Sequence, residues 1–123
     1  MLDAGAFIAF EREDRSIISR LQLAKRDSIE LRTSAIVLGQ VWRDPTGRQA
    51  RLARLLQIAE VRPIDERLAR EAGVLVGRAG TSDPIDATVV LVADDGDRIL
   101  TSDPTDIARL AAAAGRRVTV TAC

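Results

Sequence analysis

The chain has 123 residues, of which 46% are hydrophobic and 29% charged, a balance typical of a single folded domain. It contains no histidine, and its one cysteine is Cys123, which excludes histidine-based catalytic triads, imidazole zinc sites and disulfide frameworks. Eighteen acidic and eighteen basic residues balance, so net charge alone indicates no polyanionic partner. Any catalysis must use carboxylates, hydroxyls, arginines or a bound metal ion.

The apolar runs, the single cysteine and the aromatic content indicate where the protein is located and which partners are disfavoured. No apolar run reaches 18 residues and no leader pattern is present, so we expect neither a membrane span nor a signal peptide. A single cysteine fits a reducing compartment, and we expect a cytoplasmic protein. Aromatic residues are only 2% of the chain, which disfavours RNA recognition by exposed stacking rings.

Short apolar runs alternate along the chain with longer helical patterns. Strands are predicted at a short stub over 1–2 and over 28–31, 61–64, 98–101 and 117–121. Helices are predicted over 4–11, 15–26, 34–42, 48–60, 65–78, 84–94 and 104–114, with a turn at 44–47. The apolar run at 84–94 also fits a buried strand, but Pro84 after Asp83 favours a helix. The alternation predicts one α/β domain over 1–123, with a mainly parallel sheet and helices on both faces.

A near-repeat is the most informative motif. The sequence TSDPID at 81–86 returns as TSDPTD at 101–106. An aspartate at the N-cap followed by proline is good helix-start chemistry by itself, because the carboxylate accepts free backbone N–H groups. The repeat therefore predicts two helix starts, and leaves open whether its acids also have a chemical role.

A third acid, Asp3, indicates that they do. Asp3 follows the first strand stub and Asp103 follows the strand at 98–101, while Asp86 opens an apolar helix. Ligands of open parallel sheets bind beyond the carboxyl ends of the strands, where these acids would meet. Converging carboxylates repel one another, and Mg²⁺ or Mn²⁺ would remove that repulsion. A metal held by carboxylates suits phosphate-ester hydrolysis without histidine.

These motifs resemble the PIN-domain ribonucleases, in particular the VapC-like toxins of bacterial toxin–antitoxin pairs. The resemblance covers essentially the whole chain and rests on LDAGAFIA at 2–9, the segment 34–44, DPIDA at 83–87 and TSD at 101–103. It implies a three-layer α/β/α sandwich with a mainly parallel sheet of four or five strands. It also implies cleavage of single-stranded RNA with Mg²⁺ or Mn²⁺, a homodimer, and a cognate antitoxin whose tail covers the acidic pocket.

By position, the resemblance assigns three catalytic metal ligands. Asp3 is the acid of the first strand, Asp86 the acid at a helix start, and Asp103 the acid after the fourth strand. Asp83 and Asp106 lie nearby in sequence, and either bind the metal through water or act only as helix caps. The resemblance therefore gives the acidic pocket a ligand set made of oxygen atoms alone.

The chain departs from the family at Gln40, where PIN nucleases usually carry an acid. A glutamine carbonyl is a weaker ligand than a carboxylate, so this pocket has one negative charge fewer. Asp44 lies one helical turn further on, and its position in a turn favours a capping or pairing role. The departure opens a second hypothesis, a weakened PIN-like module that binds RNA or a protein without cutting.

Several other polar residues have two interpretations. Thr101 and Ser102 either orient the attacking water or satisfy the local backbone. Trp42 either stacks on a base or lies in the core, the commoner place for a lone tryptophan in an apolar helix. Four arginines either grip RNA phosphates or form a solvated surface: Arg43, Arg48, Arg51 and Arg54. Aspartyl phosphotransfer is disfavoured, because no Asp-x-Asp follows the first strand and no late lysine exists.

Overall fold

The computed structural model describes residues 1–43 and 49–123. Its helices are α1 (Ala4–Glu11), α2 (Arg15–Arg26), α3 (Ala35–Val41), α4 (Ala50–Ile58), α5 (Glu66–Ala79), α6 (Pro84–Val92) and α7 (Pro104–Ala114). Its strands are β1 (Arg32–Ser34), β2 (Glu60–Arg62), β3 (Arg98–Thr101) and β4 (Thr119–Ala122). The predicted mixed α/β class is confirmed, and the apolar run at 84–94 forms a helix over Pro84–Val92 rather than a strand. The predicted turn at 44–47 lies outside the described residues, as do Asp44 and Arg48.

The strands form two parallel pairs, β1 with β2 and β3 with β4. The backbone at the start of the chain lies between the pairs. Leu2 N donates to Arg32 O at 2.7 Å on one side, and Asp3 N donates to Leu100 O at 3.0 Å on the other. Leu2 also forms an isolated parallel bridge with Leu100. The predicted strand stub therefore contacts both pairs and delivers Asp3 to the carboxyl end of β3.

The hydrophobic core lies between these short strands and the surrounding helices. Its fully buried members include Leu2, Phe7, Ile17, Leu52 and Ile107. Burying a side chain of this size contributes about 1.5–3 kcal/mol, so helical faces with apolar spacing are held inward. Helix α6 is buried over most of its length, and it contacts both α5 and α7. This burial accounts for its nearly unbroken apolar sequence and fixes the acids at its first turn.

Two predictions from the sequence are wrong. The predicted strand at 28–31 is not a strand, because Ser28 has a left-handed φ of 56° and Ile29 is 60% exposed. The polar residues that follow form β1 instead, since both buried hydroxyls find partners: Thr33 Oγ1 donates to Leu2 O at 2.7 Å, and Ser34 bonds Thr88 at 2.8 Å. Trp42 is 40% exposed and is not a core residue.

Smaller differences concern element ends. Strands β2 and β4 lie one to two residues from their predicted positions, and α3 and α4 are shorter than predicted. Gly80 ends α5 as expected, with a φ of 71° that glycine adopts without steric cost. Within 1–43 and 49–123, no helix has the length and apolar character needed to cross a membrane.

Candidate acidic functional site

Three of the predicted site residues are helix N-caps. Ala4 N donates to Asp3 Oδ1 at 2.8 Å, and Ile85 N donates to Asp83 Oδ1 at 2.8 Å. Asp106 N donates to Asp103 Oδ1 at a longer 3.4 Å. The capping interpretation of the repeat is therefore confirmed, and each cap uses one carboxylate oxygen to satisfy a free backbone N–H.

Asp3 is also held by the end of β3. Thr101 Oγ1 donates to Asp3 Oδ2 at 2.7 Å, and Thr101 Oγ1 itself accepts from Asp103 N at 3.0 Å. Asp3 is 4% exposed and Thr101 is fully buried, whereas the Asp103 side chain lies at the surface. The Thr101 hydroxyl thus satisfies a backbone N–H, which is one of the two roles predicted for it, and it also bonds the carboxylate of Asp3. Its role in orienting an attacking water stays a prediction.

Gly5 brings α1 close to the residue that follows β3. A Cβ atom placed on Gly5 would lie 2.6 Å from Ser102 Cβ and Oγ and 2.7 Å from Ser102 N. No side chain fits in that space, so glycine is required by a close approach rather than by its dihedral angles. Ser102, which directly precedes the cap Asp103, is therefore held against the start of α1, two residues after the cap Asp3.

Asp86 differs from the three caps. It lies in the first turn of α6, is only 8% exposed, and accepts no hydrogen bond from any residue of the described chain. Buried carboxylates normally have hydrogen-bond or charged partners, because losing water without compensation is costly. Asp86 is thus a largely buried residue whose carboxylate oxygens receive no donor from the described protein and keep some contact with solvent.

The acids act on one another electrostatically. Burial is the main cause that raises the pKa of Asp86 to about 7, and repulsion from Asp3, Asp83, Asp103 and Asp106 adds to it. Burial also raises the pKa of Asp3, against the opposing effect of its bonds from Thr101 and Ala4. These five aspartates, which we call the acidic edge, form one electrostatic group at the carboxyl end of β3 and the starts of three helices.

The acidic edge is not a preformed coordination shell. Among the described residues, no three acidic, histidine or cysteine side chains are close enough together to hold a metal ion. The caps explain this spacing, since Asp3, Asp83 and Asp103 each turn one oxygen towards the backbone of their own helix. A shared cation would have to draw side chains inward from these positions.

Gln40 is a half-buried residue of α3, and its Oε1 atom is buried with no hydrogen-bond partner in the described chain. A buried carbonyl oxygen without a donor costs about 1–3 kcal/mol. Gln40 therefore carries a buried carbonyl oxygen with unused bonding capacity in the described chain.

The predicted arginine surface is divided by the structure. Arg43 donates to its own helix at Gly39 O and to Trp42 O, both at 2.9 Å. Arg51 pairs with Glu13 and lies over the Phe10 ring, at the end of α1 opposite to Asp3. Eight helical residues separate those ends by about 12 Å. Arg54 is exposed, and Arg48 lies outside the described residues. The described arginines do not form a single patch beside the acidic edge.

Sequence reasoning missed the buried hydroxyls that support this region. Ser34 and Thr88 are bonded at 2.8 Å, and Thr88 Oγ1 also lies 2.6 Å from Ile85 O, one residue before Asp86. The available signal was a single threonine inside the apolar run of α6. These contacts tie the end of β1 to the first turn of α6 and so help to position Asp86.

No family model, curated protein or solved structure matches the chain. The function proposed for the acidic edge therefore depends on its own chemistry and geometry.

Proposed function

We propose that the protein is a metal-dependent endoribonuclease of the PIN type, in which the acidic edge binds Mg²⁺ or Mn²⁺ and single-stranded RNA is the substrate. The observation that carries this proposal is Asp86, a buried carboxylate without a donor that faces the field of four other aspartates. A carboxylate in such surroundings lowers the stability of the folded protein when no cation is bound, and it provides a negatively charged ligand when a cation binds.

The donor set fits a hard divalent ion. Asp3, Asp86 and Asp103 would hold the ion directly, Asp83 would contact it through water, and Gln40 offers a carbonyl oxygen without a partner. Oxygen ligands are those that Mg²⁺ and Mn²⁺ prefer. Because the described chain contains no compact three-acid group, metal binding would require side chains to move from their capping positions.

The chain's own residues have separable tasks in this proposal. Thr101 orients Asp3, and Ser102 lies against Gly5 at the start of α1. Asp86 holds a proton near neutral pH and releases it when positive charge arrives, since a pKa of about 7 places it between the two states. A bound divalent ion would supply charge stabilisation at the phosphate and a more acidic water.

The fold proposal extends the observed strand pairs. We infer a single five-stranded parallel sheet in the order β2, β1, residues 1–3, β3, β4, with helices on both faces as a three-layer sandwich. The bonds of Leu2 to Arg32 and of Asp3 to Leu100 support this order. In such a sheet the carboxyl end of the central strand is the expected ligand site, and Asp3 lies there.

The proposed biological role is the toxin of a toxin–antitoxin pair, acting as a homodimer and inhibited by an antitoxin with a basic side chain over the acidic edge. Charge complementarity supports the inhibitor's chemistry, because the acidic edge gathers five aspartates and none of them has an ion pair among the described residues. Arg43, Arg48, Arg51 and Arg54 stay candidates for RNA contact, and Arg54 is the most available of those described.

A second candidate is a PIN-like module that binds RNA or a protein without cutting it. The neutral Gln40 favours this alternative, since it replaces a carboxylate in the proposed ligand set. The two candidates differ in one observable property, which is turnover of RNA in the presence of a divalent ion.

The deciding experiment is cleavage of a single-stranded RNA with EDTA, Mg²⁺ or Mn²⁺. The nuclease proposal expects products only with metal and none from Asp86→Asn. Asp95→Asn is the matched control, because it makes the same chemical change at an exposed acid paired with Arg117. Metal-dependent RNA binding without products supports the second candidate, and neither binding nor cleavage contradicts both.

A further inference from the structure

A groove of about 400 Å³ lies between α5 and the ends of α6 and α7. Its floor is apolar and is formed by Val74, Leu75, Leu91 and Ala114. Val74 is 61% exposed, so the apolar floor of the groove is open to solvent. The groove is formed by the carboxyl ends of α6 and α7, whereas the acidic edge is formed by their amino ends, so the two regions are separate.

The rim of the groove is basic. Four arginines line it, Arg67, Arg70, Arg78 and Arg116, against a single acid, Glu71. Arg67 pairs with Glu71 at 2.8 Å, and Arg70 pairs with Glu66 just outside the groove at 3.4 Å. Arg78 and Arg116 are therefore the two groove arginines without an ion pair among the described residues, and Arg116 also acts at longer range on Asp94 and Asp95.

The two remaining arginines are differently held. Arg116 Nη2 donates to Leu91 O at 3.1 Å, near the end of α6, where a cation is favoured by the helix dipole. Arg78 is exposed and has no ion pair among the described residues. The groove thus combines one anchored guanidinium and one free guanidinium with an apolar floor.

We propose that this groove is the docking site for an acidic amphipathic helix of a partner protein. The partner's apolar side chains would cover Val74 and Leu91, and its carboxylates would pair with Arg78 and Arg116. This combination is helix-in-groove recognition, with apolar anchors for affinity and charge complementarity for orientation. The proposal is independent of the nuclease activity, since no residue of the acidic edge lines the groove.

The floor argues against RNA as the occupant. Single-stranded RNA is held by phosphate contacts together with stacking on aromatic rings, and none of the lining residues is aromatic. Apolar side chains that face a polyanion gain nothing from its phosphates. An acidic amphipathic peptide would pair its carboxylates with the arginines and cover the exposed valine with its apolar side chains, so it accounts for both the rim and the floor of the groove.

The test uses the full chain and a fluorescent synthetic helix of about 18 residues, roughly five turns, with leucines on one face and glutamates on its flanks. We expect saturable binding that weakens with added salt and is absent for the same peptide with lysines replacing the glutamates. Arg78→Glu should weaken binding about tenfold, and Val74→Glu should weaken it similarly through the floor. Arg109→Glu, an equal charge change on α7 outside the groove, should leave it unchanged.

Three results would overturn the proposal. One is equal binding of the glutamate and lysine peptides, or no saturation with either. Another is loss of single-stranded RNA binding in Arg78→Glu while peptide binding is absent, which would identify RNA as the occupant. The last is a dimer in solution that Val74→Glu dissociates, which would assign the groove to a second copy of the chain. Metal-dependent RNA cleavage by Arg78→Glu reports separately on the nuclease proposal.

Discussion

The molecule has two acid-rich regions at opposite ends of its strands, and they are compensated in opposite ways. At the amino ends, Asp94 and Asp97 surround Arg32 at 3.1 and 3.0 Å, and Arg62 also bonds Asp94 at 3.1 Å. At the carboxyl ends, the acidic edge has hydrogen-bond donors for its caps, and none of its five aspartates has an ion pair among the described residues. Aspartates are thus paired with arginines in one place and left without a cationic partner among the described residues in the other.

The electrostatic consequences have opposite signs. The bond from Arg62 is the main cause that lowers the pKa of Asp94, and the backbone N–H of Arg117 is the main cause that lowers the pKa of Asp95. Burial and neighbouring acids raise the pKa of Asp86 to about 7. A fold that can place arginines beside acids at one end and does not do so at the other leaves room there for an external cation.

The largest expected effect is on catalysis at the uncompensated end. Asp3→Asn should lower metal-dependent RNA cleavage about a hundredfold or more, because it removes a charged ligand and the acceptor for Thr101. Asparagine is also a good N-cap, so α1 should persist and the metal-free melting temperature should change little. Single-turnover cleavage rates and melting curves measure both. Full activity in Asp3→Asn would remove this residue from the ligand set.

Stability should depend on pH with a sign set by Asp86. An unfolded aspartate titrates near pH 3.9, so between about pH 4 and pH 7 the folded protein holds a proton that the unfolded chain has released. The free energy of unfolding of the metal-free protein should therefore fall as pH rises through this window, by up to about 4 kcal/mol for Asp86. Above pH 7 the contribution is constant.

Urea unfolding at several pH values in EDTA measures this dependence, and Asp86→Asn should flatten it. The paired region gives the opposite behaviour, since acids with a lowered pKa, such as Asp94, lose their contribution only as pH falls below about 4. Asp94→Asn is thus the control that leaves the slope between pH 4 and pH 7 intact. Equal slopes in wild type and Asp86→Asn would show that Asp86 is not the titrating group.

Gly5→Ala should disturb the acidic edge without altering any carboxylate. The added Cβ would lie 2.6 Å from Ser102 Cβ, so α1 and the segment after β3 must separate. Overpacking of this kind costs about 1–3 kcal/mol, and the movement should also weaken the Asp3–Thr101 contact. We expect a lower melting temperature together with loss of metal-dependent cleavage. Gly39→Ala is the control, since its Cβ meets nothing within 4 Å and should be neutral or stabilising.

The sequence predicted most helices because their signals are local. Asp14, Asp65, Asp83 and Asp103 are acidic caps, and the apolar spacing within α2, α5 and α7 matches their buried faces. Strand β1 was missed because its polar residues are stabilised by partners far along the chain, such as Thr88 for Ser34. The ion pairs of Asp94 and Asp97 could not be predicted for the same reason, since their partners Arg62 and Arg32 come from strands distant in sequence.

The candidate site was predictable only in part. Asp3, Asp83 and Asp103 could be located at helix starts, since a cap depends on the next three residues. The lack of a hydrogen-bond donor for Asp86 in the described chain could not be predicted, because it depends on which residues the fold brings close to this side chain. The requirement for glycine at position 5 could not be predicted either, because the residue that excludes a side chain there is Ser102, which is distant in sequence.

The smallest predicted effect tests whether Gln40 belongs to the acidic edge. Gln40→Glu would add a carboxylate where a buried carbonyl oxygen now has no described partner. If this side chain faces the bound ion, one more charged ligand should tighten Mg²⁺ or Mn²⁺ binding by about 1–3 kcal/mol, roughly five- to a hundredfold. The same charge should lower the stability of the metal-free protein, because it adds repulsion to Asp3 and Asp86.

Metal titrations that follow melting temperature measure both effects, since an ion bound to the folded state raises stability by mass action. Gln57→Glu, the same substitution at an exposed position of α4, should change neither quantity. Opposite shifts of metal-free and metal-bound stability in Gln40→Glu are expected only from a residue that shares the ion with the aspartates, and parallel shifts would place Gln40 outside the site.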